Sequence, residues 1–230
     1  MNTFFSDSLF FGMTLSLLAY GIGVWLKEKF RLAILNPLLV SIVVVIVFLK
    51  IFGITYEVYQ SSAKYLSYLL TPVTVCLAIP LYQQLTLLKA NFKAVILGIL
   101  SGVLASLISI LIMAVLFGLT HEQYVTLLPK SITTAIGIGV SEELGGVPTI
   151  TVAVIVITGV LGNVIGELVC KIFKVEEPIA KGLAFGTAAH AIGTSRALEL
   201  GEIEGAMSSL AIAVAGIMTV AVATIFAGFW

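Results

Sequence analysis

The chain has 230 residues, of which 60% are hydrophobic and only 10% are charged, and its mean hydropathy is +1.16. Soluble domains carry about 25% charged residues, so this composition excludes an ordinary soluble fold and predicts an integral membrane protein. The formal net charge is zero, from 12 basic and 12 acidic side chains, which gives no indication of a nucleic-acid partner.

The N-terminal stretch MNTFFSDSLFFGMTLSLL lacks a basic region. We therefore interpret it as a first membrane span and not as a cleaved signal peptide. The two cysteines, Cys76 and Cys170, lie in or beside apolar runs, away from the spacings typical of metal sites. We interpret both cysteines as packing residues and expect no metal or cofactor.

Six segments are apolar and long enough to cross a membrane, which takes about 20 residues of helix: 8–26, 32–52, 65–85, 91–118, 147–173 and 205–229. Two further segments, 130–146 and 182–200, are less apolar and rich in Gly, Ser and Thr. Proline removes a backbone donor, so Asn36–Pro37, Pro72 and Pro80 predict kinked or interrupted helices. We expect an all-α polytopic membrane protein with about six to eight segments.

The chain is interpreted as a single integral membrane domain, 1–230, with N-terminal helices in 1–118 and a signature region in 130–229. Basic residues mark cytoplasmic loops, so the first loop is placed inside by Lys27, Lys29 and Arg31. A second basic cluster, 171–181, falls outside if all eight segments cross the membrane, and inside if 130–146 is re-entrant. The rule therefore favours a re-entrant segment.

An internal repeat relates residues 134–146, TAIGIGVSEELGG, to residues 190–202, HAIGTSRALELGE. Ala-Ile-Gly and Glu-Leu-Gly match in both copies at a shift of 56 residues. If each copy is interrupted at mid-depth, the two enter from opposite faces, as in inverted-repeat transporters with a midplane site. The alternative is a pair of amphipathic helices packed through glycines, such as Gly182-xxx-Gly186.

Arg196 is the strongest single candidate for a substrate-binding residue. An arginine inside an apolar segment is costly unless it is paired or hydrated, and its guanidinium suits a carboxylate. The alternative is that Arg196 lies at the end of its segment and pairs with Glu199 or Glu202. His190 is interpreted as a substrate donor or proton carrier, or else as a packing residue.

Hydroxyls and glycines surround the two Ala-Ile-Gly sequences and form the rest of the predicted site. Hydroxyls can bond substrate oxygens, although they also bond carbonyls in their own helix. The glycines permit unwinding and close backbone approach. The predicted group consists of Thr187, Gly193, Thr194 and Ser195 in one copy, and Ser131, Thr133, Thr134 and Gly137 in the other.

Acidic residues follow both copies, and most of them are expected to be solvated at a membrane boundary. The matched pair Glu143 and Glu199 is the exception, and we interpret it as a candidate for ion or proton coupling, together with Asn163. No nucleophile–His–acid triad, phosphate loop or HExxH motif occurs in the sequence. An enzymatic function is therefore not expected.

Three segments resemble the signature segments of the LrgB/CidB family: KSITTAIGIGVSEELGGVPTITV, ITGVLGNVIGELV and PIAKGLAFGTAAHAIGTSRALELGEIEGAMSSLA. The resemblance covers nearly the whole chain, including NPLLVSI and TPVTVCLAIPLYQQL. The family often has lysine where this chain has Arg196, so the positive charge is retained.

The resemblance implies a bacterial inner-membrane, multi-pass protein that works with a smaller LrgA/CidA-like membrane partner. The family is described as antiholin-like, and it is similar to a plant chloroplast-envelope protein that exchanges glycolate and glycerate and to bacterial pairs linked to pyruvate uptake. These substrates are small 2-oxo or 2-hydroxy monocarboxylates. We also expect a homo-oligomer.

Two functions follow from these observations. The first is a secondary carrier for a small monocarboxylate such as pyruvate, glycolate or glycerate. The second is an antiholin-like or holin-like regulator of murein hydrolase export and cell lysis, which has no substrate site and depends on helix faces rich in small residues, such as Gly162-xxx-Gly166 and Gly205-xxx-Ser209.

Overall fold

The computed structural model describes residue 8 and residues 10–30 and 35–230, and these residues form helices without strands. The chain divides into two compact units, Met1–Cys76 and Leu77–Trp230. The all-α prediction is confirmed. Arg31 and the start of the N-terminal stretch lie outside the described residues, and the interpretation as one membrane domain stays a prediction.

The first unit contains α1 (Phe11–Phe30), α2 (Pro37–Ile51), α3 (Tyr56–Ala63), a 3₁₀ helix (Lys64–Leu69) and α4 (Leu70–Cys76). The Asn36–Pro37 pair begins α2 and does not kink it. The Asn36 side chain caps the helix by accepting from the amides of Leu38 and Leu39, and proline fits the first turn, where its missing N–H is not needed. Of the two outcomes expected for segment 32–52, a kink or an interruption, the structure therefore shows an interruption, with residues 35–36 outside the helix.

The second unit contains α5 (Ala78–Gln83), α6 (Leu85–Ala90), α7 (Phe92–Phe117), α8 (His121–Leu127), α9 (Thr134–Glu143), α10 (Pro148–Ile172), α11 (Pro178–Leu200) and α12 (Glu202–Ala227). Three of these helices, α7, α10 and α12, are long and apolar enough to cross a membrane. The predicted segment 65–85 is divided into a 3₁₀ helix and short α-helices, as its prolines indicated.

The ends of the long helices follow from local sequence. Gly118 ends α7 in the left-handed conformation, with φ of 62°, which glycine adopts without steric cost. Thr120 then starts α8 through a capping box with Gln123. Helices α10 and α11 each begin with a proline, Pro148 and Pro178. The chain therefore reverses at residues that its sequence marks as turns.

The two repeat copies adopt short helical segments. Helix α9 has ten residues and is about 15 Å long, half of the roughly 30 Å hydrocarbon core, so it cannot cross the membrane by itself. Helix α11 is interrupted at His190, whose φ of 42° and ψ of −139° are not helical. The second copy thus begins at an interruption, whereas the first is a short continuous helix, and their inverted arrangement in a membrane stays a prediction.

Helices α11 and α12 pack closely through glycines. A Cβ atom at Gly186 would lie 2.7 Å from the Cβ of Ala211 and 2.9 Å from the Cα of Ser208. A Cβ atom at Gly182 would similarly meet Met207 at 2.8 Å. The sequence left two alternatives for residues 182–200, a broken helix or a helix packed through glycines. Helix α11 has both features.

The two cysteines differ in their environment. Cys170 is buried, in agreement with a packing role, but Cys76 is exposed. The packing interpretation of Cys76 was wrong, because an apolar neighbourhood in sequence does not decide which side of a short helix faces inward.

Candidate functional site

A cavity of about 830 Å³ lies among α7, α10, α11 and the turn that precedes α9. The side chains that line it include Ser106, Thr158 and Thr187. Ser106 is the fifteenth of the 26 residues of α7, Thr158 the eleventh of the 25 residues of α10, and Thr187 the tenth of the 23 residues of α11. These three hydroxyls therefore lie near the middle of their helices, whereas Asn91 and Glu177, which also line the cavity, directly precede α7 and α11.

Lys130 brings a positive charge to this cavity. It lies in the turn between α8 and α9, and its Nζ donates to Ser131 Oγ at 3.0 Å. The Oγ atoms of Ser131 and Ser106 are in turn hydrogen-bonded at 3.2 Å. Among the residues that the structure describes, no carboxylate forms an ion pair with Lys130. An ionisable side chain among apolar helices is by default a candidate for a ligand or ion pathway.

Thr187 supplies a buried polar group to the same wall. The residue is only 7% exposed, and its Oγ1 has no hydrogen-bond partner within the described part of the chain. Thr187 faces Gly102 of α7, where an added Cβ would lie 2.6 Å from Cγ2 but 3.9 Å from Oγ1. The methyl group of Thr187 therefore packs on Gly102 of α7, and its hydroxyl oxygen lies farther from that glycine.

A second cavity of about 10 Å³ adjoins the first, since Ser106, Ser131 and Thr187 line both. Thr219 of α12 adds a fourth hydroxyl to it. This volume is about that needed for one water molecule with polar partners. The three shared residues thus form a hydroxyl-bearing wall between a large and a very small cavity.

His190 lies at the interruption of α11 and is 3% exposed. Its Nε2 donates to the carbonyl of Ile155 in α10 at 3.0 Å, which assigns the ring proton to Nε2. Thr194 Oγ1 donates to the His190 carbonyl at 3.0 Å and also hydrogen-bonds Ser208 Oγ at 2.7 Å. His190 and Thr194 therefore hold the two halves of α11 against α10 and α12, away from the cavity wall.

Ser195 and Asn163 form another connection between α10 and α11. The Nδ2 of Asn163 donates to the carbonyl of Ile192 at 2.7 Å and to Ser195 Oγ at 3.0 Å. Ser195 Oγ itself donates to the Ile192 carbonyl at 2.7 Å. These amide and hydroxyl groups bond to the backbone that follows the interruption.

Arg196 is held by two carboxylates. It donates to Glu167 Oε2 at 2.5 Å and to Glu199 Oε2 at 2.6 Å, and Glu167 also pairs with Lys171 at 3.0 Å. Arg196 is not one of the described residues that line the 830 Å³ cavity. Of the two interpretations that the sequence left open for Arg196, the geometry favours the ion pair.

The remaining predicted residues lie in or beside the two repeat copies. Thr133 is the residue before α9, Thr134 begins it, and Glu143 ends it on an exposed surface. Gly137 and Gly193 are buried within helices, where an added Cβ would clash with neighbouring atoms. The glycines thus permit close packing, and the backbone departs from helical geometry at His190 instead of at Gly193.

The structure therefore brings two of the predicted residues, Ser131 and Thr187, to the cavity wall together. It adds Lys130, Ser106 and Thr158, which the sequence reasoning did not select. The rule that singled out Arg196, an ionisable side chain within an apolar stretch, applies equally to Lys130, which opens segment 130–146. Ser106 and Thr158 gave no signal, because single hydroxyls are common in membrane helices.

Comparison with known proteins agrees with the sequence signature. Residues 16–229 match the LrgB-like family. The chain is 41% identical over 221 residues to proteins named antiholin-like protein LrgB from Bacillus cereus (strain B4264) and Bacillus anthracis (strain CDC 684 / NRRL 3495), and each alignment covers 96% of both chains. No solved structure matches the chain.

Proposed function

This chain belongs to the LrgB-like family, and we propose that it is a secondary carrier for small 2-oxo or 2-hydroxy monocarboxylates such as pyruvate, glycolate or glycerate. The observation that carries the proposal is the cavity of about 830 Å³ with Lys130 on its wall and no carboxylate paired with that lysine in the described part of the chain. A bound carboxylate supplies the missing negative charge.

The position of the cavity supports a transport role in preference to catalysis. Its hydroxyls lie near the centres of α7, α10 and α11, the depth at which secondary transporters bind their substrates. The non-helical turn that carries Lys130 and Ser131 lies beside this cavity. Non-helical backbone is tolerated at this depth where it lines a cavity or is buried in protein. Binding and release of an anion require a charge and hydrogen-bond donors, both of which this wall provides.

We place the carrier in the bacterial inner membrane as a multi-pass protein, acting with a small LrgA/CidA-like membrane partner and as a homo-oligomer. The partner and the oligomer follow from the family resemblance. In this arrangement the lipid bilayer contacts the exposed apolar side chains of the long helices, such as Leu116, Leu161 and Ile217.

A second candidate function is regulation of murein hydrolase export and cell lysis without a substrate site. The name antiholin-like protein, carried by the relatives from both Bacillus species, favours it. This function predicts helix faces of small residues that are free to associate with helices of other chains. However, Gly162 and Gly166 pack against Ala189 and Phe185 within the chain, and Gly205 packs against Leu198. These faces therefore serve internal packing.

The test is uptake of labelled pyruvate, glycolate and glycerate into proteoliposomes, with the small partner protein present and absent. We expect saturable uptake by the wild type and a loss of at least about tenfold in Lys130→Gln, because a hydrogen bond to a charged group contributes about 1.5–3 kcal/mol. Lys130→Arg retains the charge and is expected to keep part of the uptake.

Lys50→Gln is the matched control, since Lys50 is exposed at the end of α2. Its uptake is expected to equal that of the wild type. Absence of uptake of all three acids by folded wild-type protein, with and without the partner, would overturn the carrier proposal and leave the lysis-regulating function.

A further inference from the structure

The hydroxyl of Thr187 is the one buried side-chain polar atom without a hydrogen-bond partner among the described residues. Threonine and serine in membrane helices ordinarily donate to a carbonyl of the preceding turn, as Thr194 and Ser209 do here with His190 and Gly205. Thr187 forms no such bond. A buried hydroxyl without a partner costs free energy, so its retention calls for a partner that the chain alone does not provide.

The surroundings of Thr187 indicate the chemistry of that partner. Ser106 and Ser131 line the same two cavities as Thr187, and Lys130 donates to Ser131. The lining of the large cavity therefore carries one cation and these three hydroxyl-bearing residues, and Glu177 lines the same cavity without an ion pair to Lys130. Hydroxyls both donate and accept hydrogen bonds, so they suit a neutral oxygen, whereas the ammonium group suits a carboxylate.

We propose that Thr187, with Ser106 beside it, forms a subsite that binds the oxygen on carbon 2 of the substrate while Lys130 binds the carboxylate. The inference rests on the proposed carrier function and adds a specificity-determining residue to it. The Thr187 hydroxyl donates to a 2-oxo oxygen and either donates to or accepts from a 2-hydroxyl. One subsite thus admits both classes of acid.

The subsite predicts discrimination against fatty acids that lack an oxygen on carbon 2, such as propionate. Lysine alone attracts propionate and pyruvate equally, because both carry one carboxylate. With propionate bound, the Thr187 hydroxyl stays unpaired, and a site built to hydrogen-bond an oxygen strongly rejects the analogue that lacks it. The competing arrangement is a water molecule in the 10 Å³ cavity that satisfies Thr187 whatever the substrate is.

The test measures uptake of labelled pyruvate and propionate in proteoliposomes and compares the ratio of the two rates at low concentration. We expect the wild type to prefer pyruvate at least about tenfold. Thr187→Val keeps the shape but removes the hydroxyl, so the ratio is expected to fall at least about tenfold, mainly through loss of pyruvate uptake. Thr187→Ser retains the hydroxyl and is expected to retain the preference.

Thr224→Val is the matched control, because Thr224 is exposed on α12 and donates to the carbonyl of Val220. It is expected to leave the ratio unchanged. Should Thr187→Val fail to fold, Ser106→Ala removes the neighbouring hydroxyl and is measured in the same way, with a fall in the ratio expected.

Three results would overturn the subsite. An unchanged ratio in folded Thr187→Val would assign the hydroxyl to a bound water. Equal uptake of pyruvate and propionate by the wild type would remove the subsite but leave the carrier intact. Absence of uptake of either acid by the wild type would remove the carrier, and the subsite with it.

Discussion

Arg196 of α11 donates to Glu167 of α10 at 2.5 Å across 29 residues of sequence. The arginine also bonds Glu199 one turn further along its own helix. The pair thus joins α10 to the half of α11 that follows the interruption. A positive charge already matched by two carboxylates is poorly suited to hold a substrate anion, and this pairing distinguishes Arg196 from Lys130, which forms no ion pair among the described residues.

Replacing Arg196 by Gln is therefore expected to lower stability without greatly changing substrate affinity. The side chains of Arg196 and Glu167 are 29% and 35% exposed, so the loss is about 1 kcal/mol, or roughly 2–4 °C in Tm for a chain of this size. Thermal unfolding in detergent and the KM of uptake measure the two quantities. A tenfold rise in KM at an unchanged Tm would instead make Arg196 a substrate ligand.

The same ion pair can be tested from its acidic side. Glu167→Gln is expected to lower Tm by a similar amount, and the double variant Arg196→Gln/Glu167→Gln is expected to lose less than the sum of the two single variants. Residues that contact each other show this non-additivity. Strict additivity in a double-mutant cycle would show that the pair contributes nothing.

The interruption of α11 depends on the left-handed backbone of His190. Glycine adopts a positive φ without the steric cost that a side chain brings, so His190→Gly is expected to be more stable than His190→Ala by about 1 kcal/mol. Both variants lose the bond to Ile155, which leaves the backbone as the difference between them. Equal Tm values for the two would contradict the strained geometry.

Close packing of His190 on α10 requires glycine at position 159. A Cβ there would lie 2.7 Å from Cε1 of His190 and 2.8 Å from Cδ1 of Ile192, so Gly159→Ala is expected to destabilise the protein by about 1–3 kcal/mol, the usual cost of overpacking. Gly139→Ala is the control, because nothing lies within 4 Å of its added Cβ. In a helix interior that change stabilises by up to about 1 kcal/mol.

The access of polar solutes to the 830 Å³ cavity can be tested by cysteine labelling. Ala188 is exposed and lines the cavity, so Ala188→Cys, in a chain with Cys76 and Cys170 replaced by Ser, is expected to react with a charged, membrane-impermeant thiol reagent. Pyruvate is expected to slow the reaction.

Val115→Cys provides the comparison, because Val115 is 56% exposed on α7, where we expect it to face lipid and to react little. Equal, substrate-independent labelling of the two cysteines would show that the wall at Ala188 is no different from the outer surface of the helices.

Much of the fold is local and could be predicted for that reason. Twenty-residue apolar runs can be stable only as helices in a membrane, and the ends of the long helices coincide with Gly118, Pro148 and Pro178. The interruption within residues 182–200 was also foreseen, although the expected residue was Gly193. The conformation belongs to His190, because Gly193 is needed where the chain packs against Phe185 and Ala189.

The chain's own sequence thus determined the membrane class, the all-helical architecture and the family signature, and it predicted the interruption within residues 182–200. Only the tertiary structure decided which of two cations, Arg196 or Lys130, is paired with carboxylates. Arg196 and Lys130 look alike as single charges in apolar stretches, but packing brings the carboxylate of Glu167 from α10 to Arg196, in addition to Glu199 of its own helix. Electrostatic and hydrogen-bond partners are set by distances of a few ångströms, and such distances between remote residues exist only once the helices have packed.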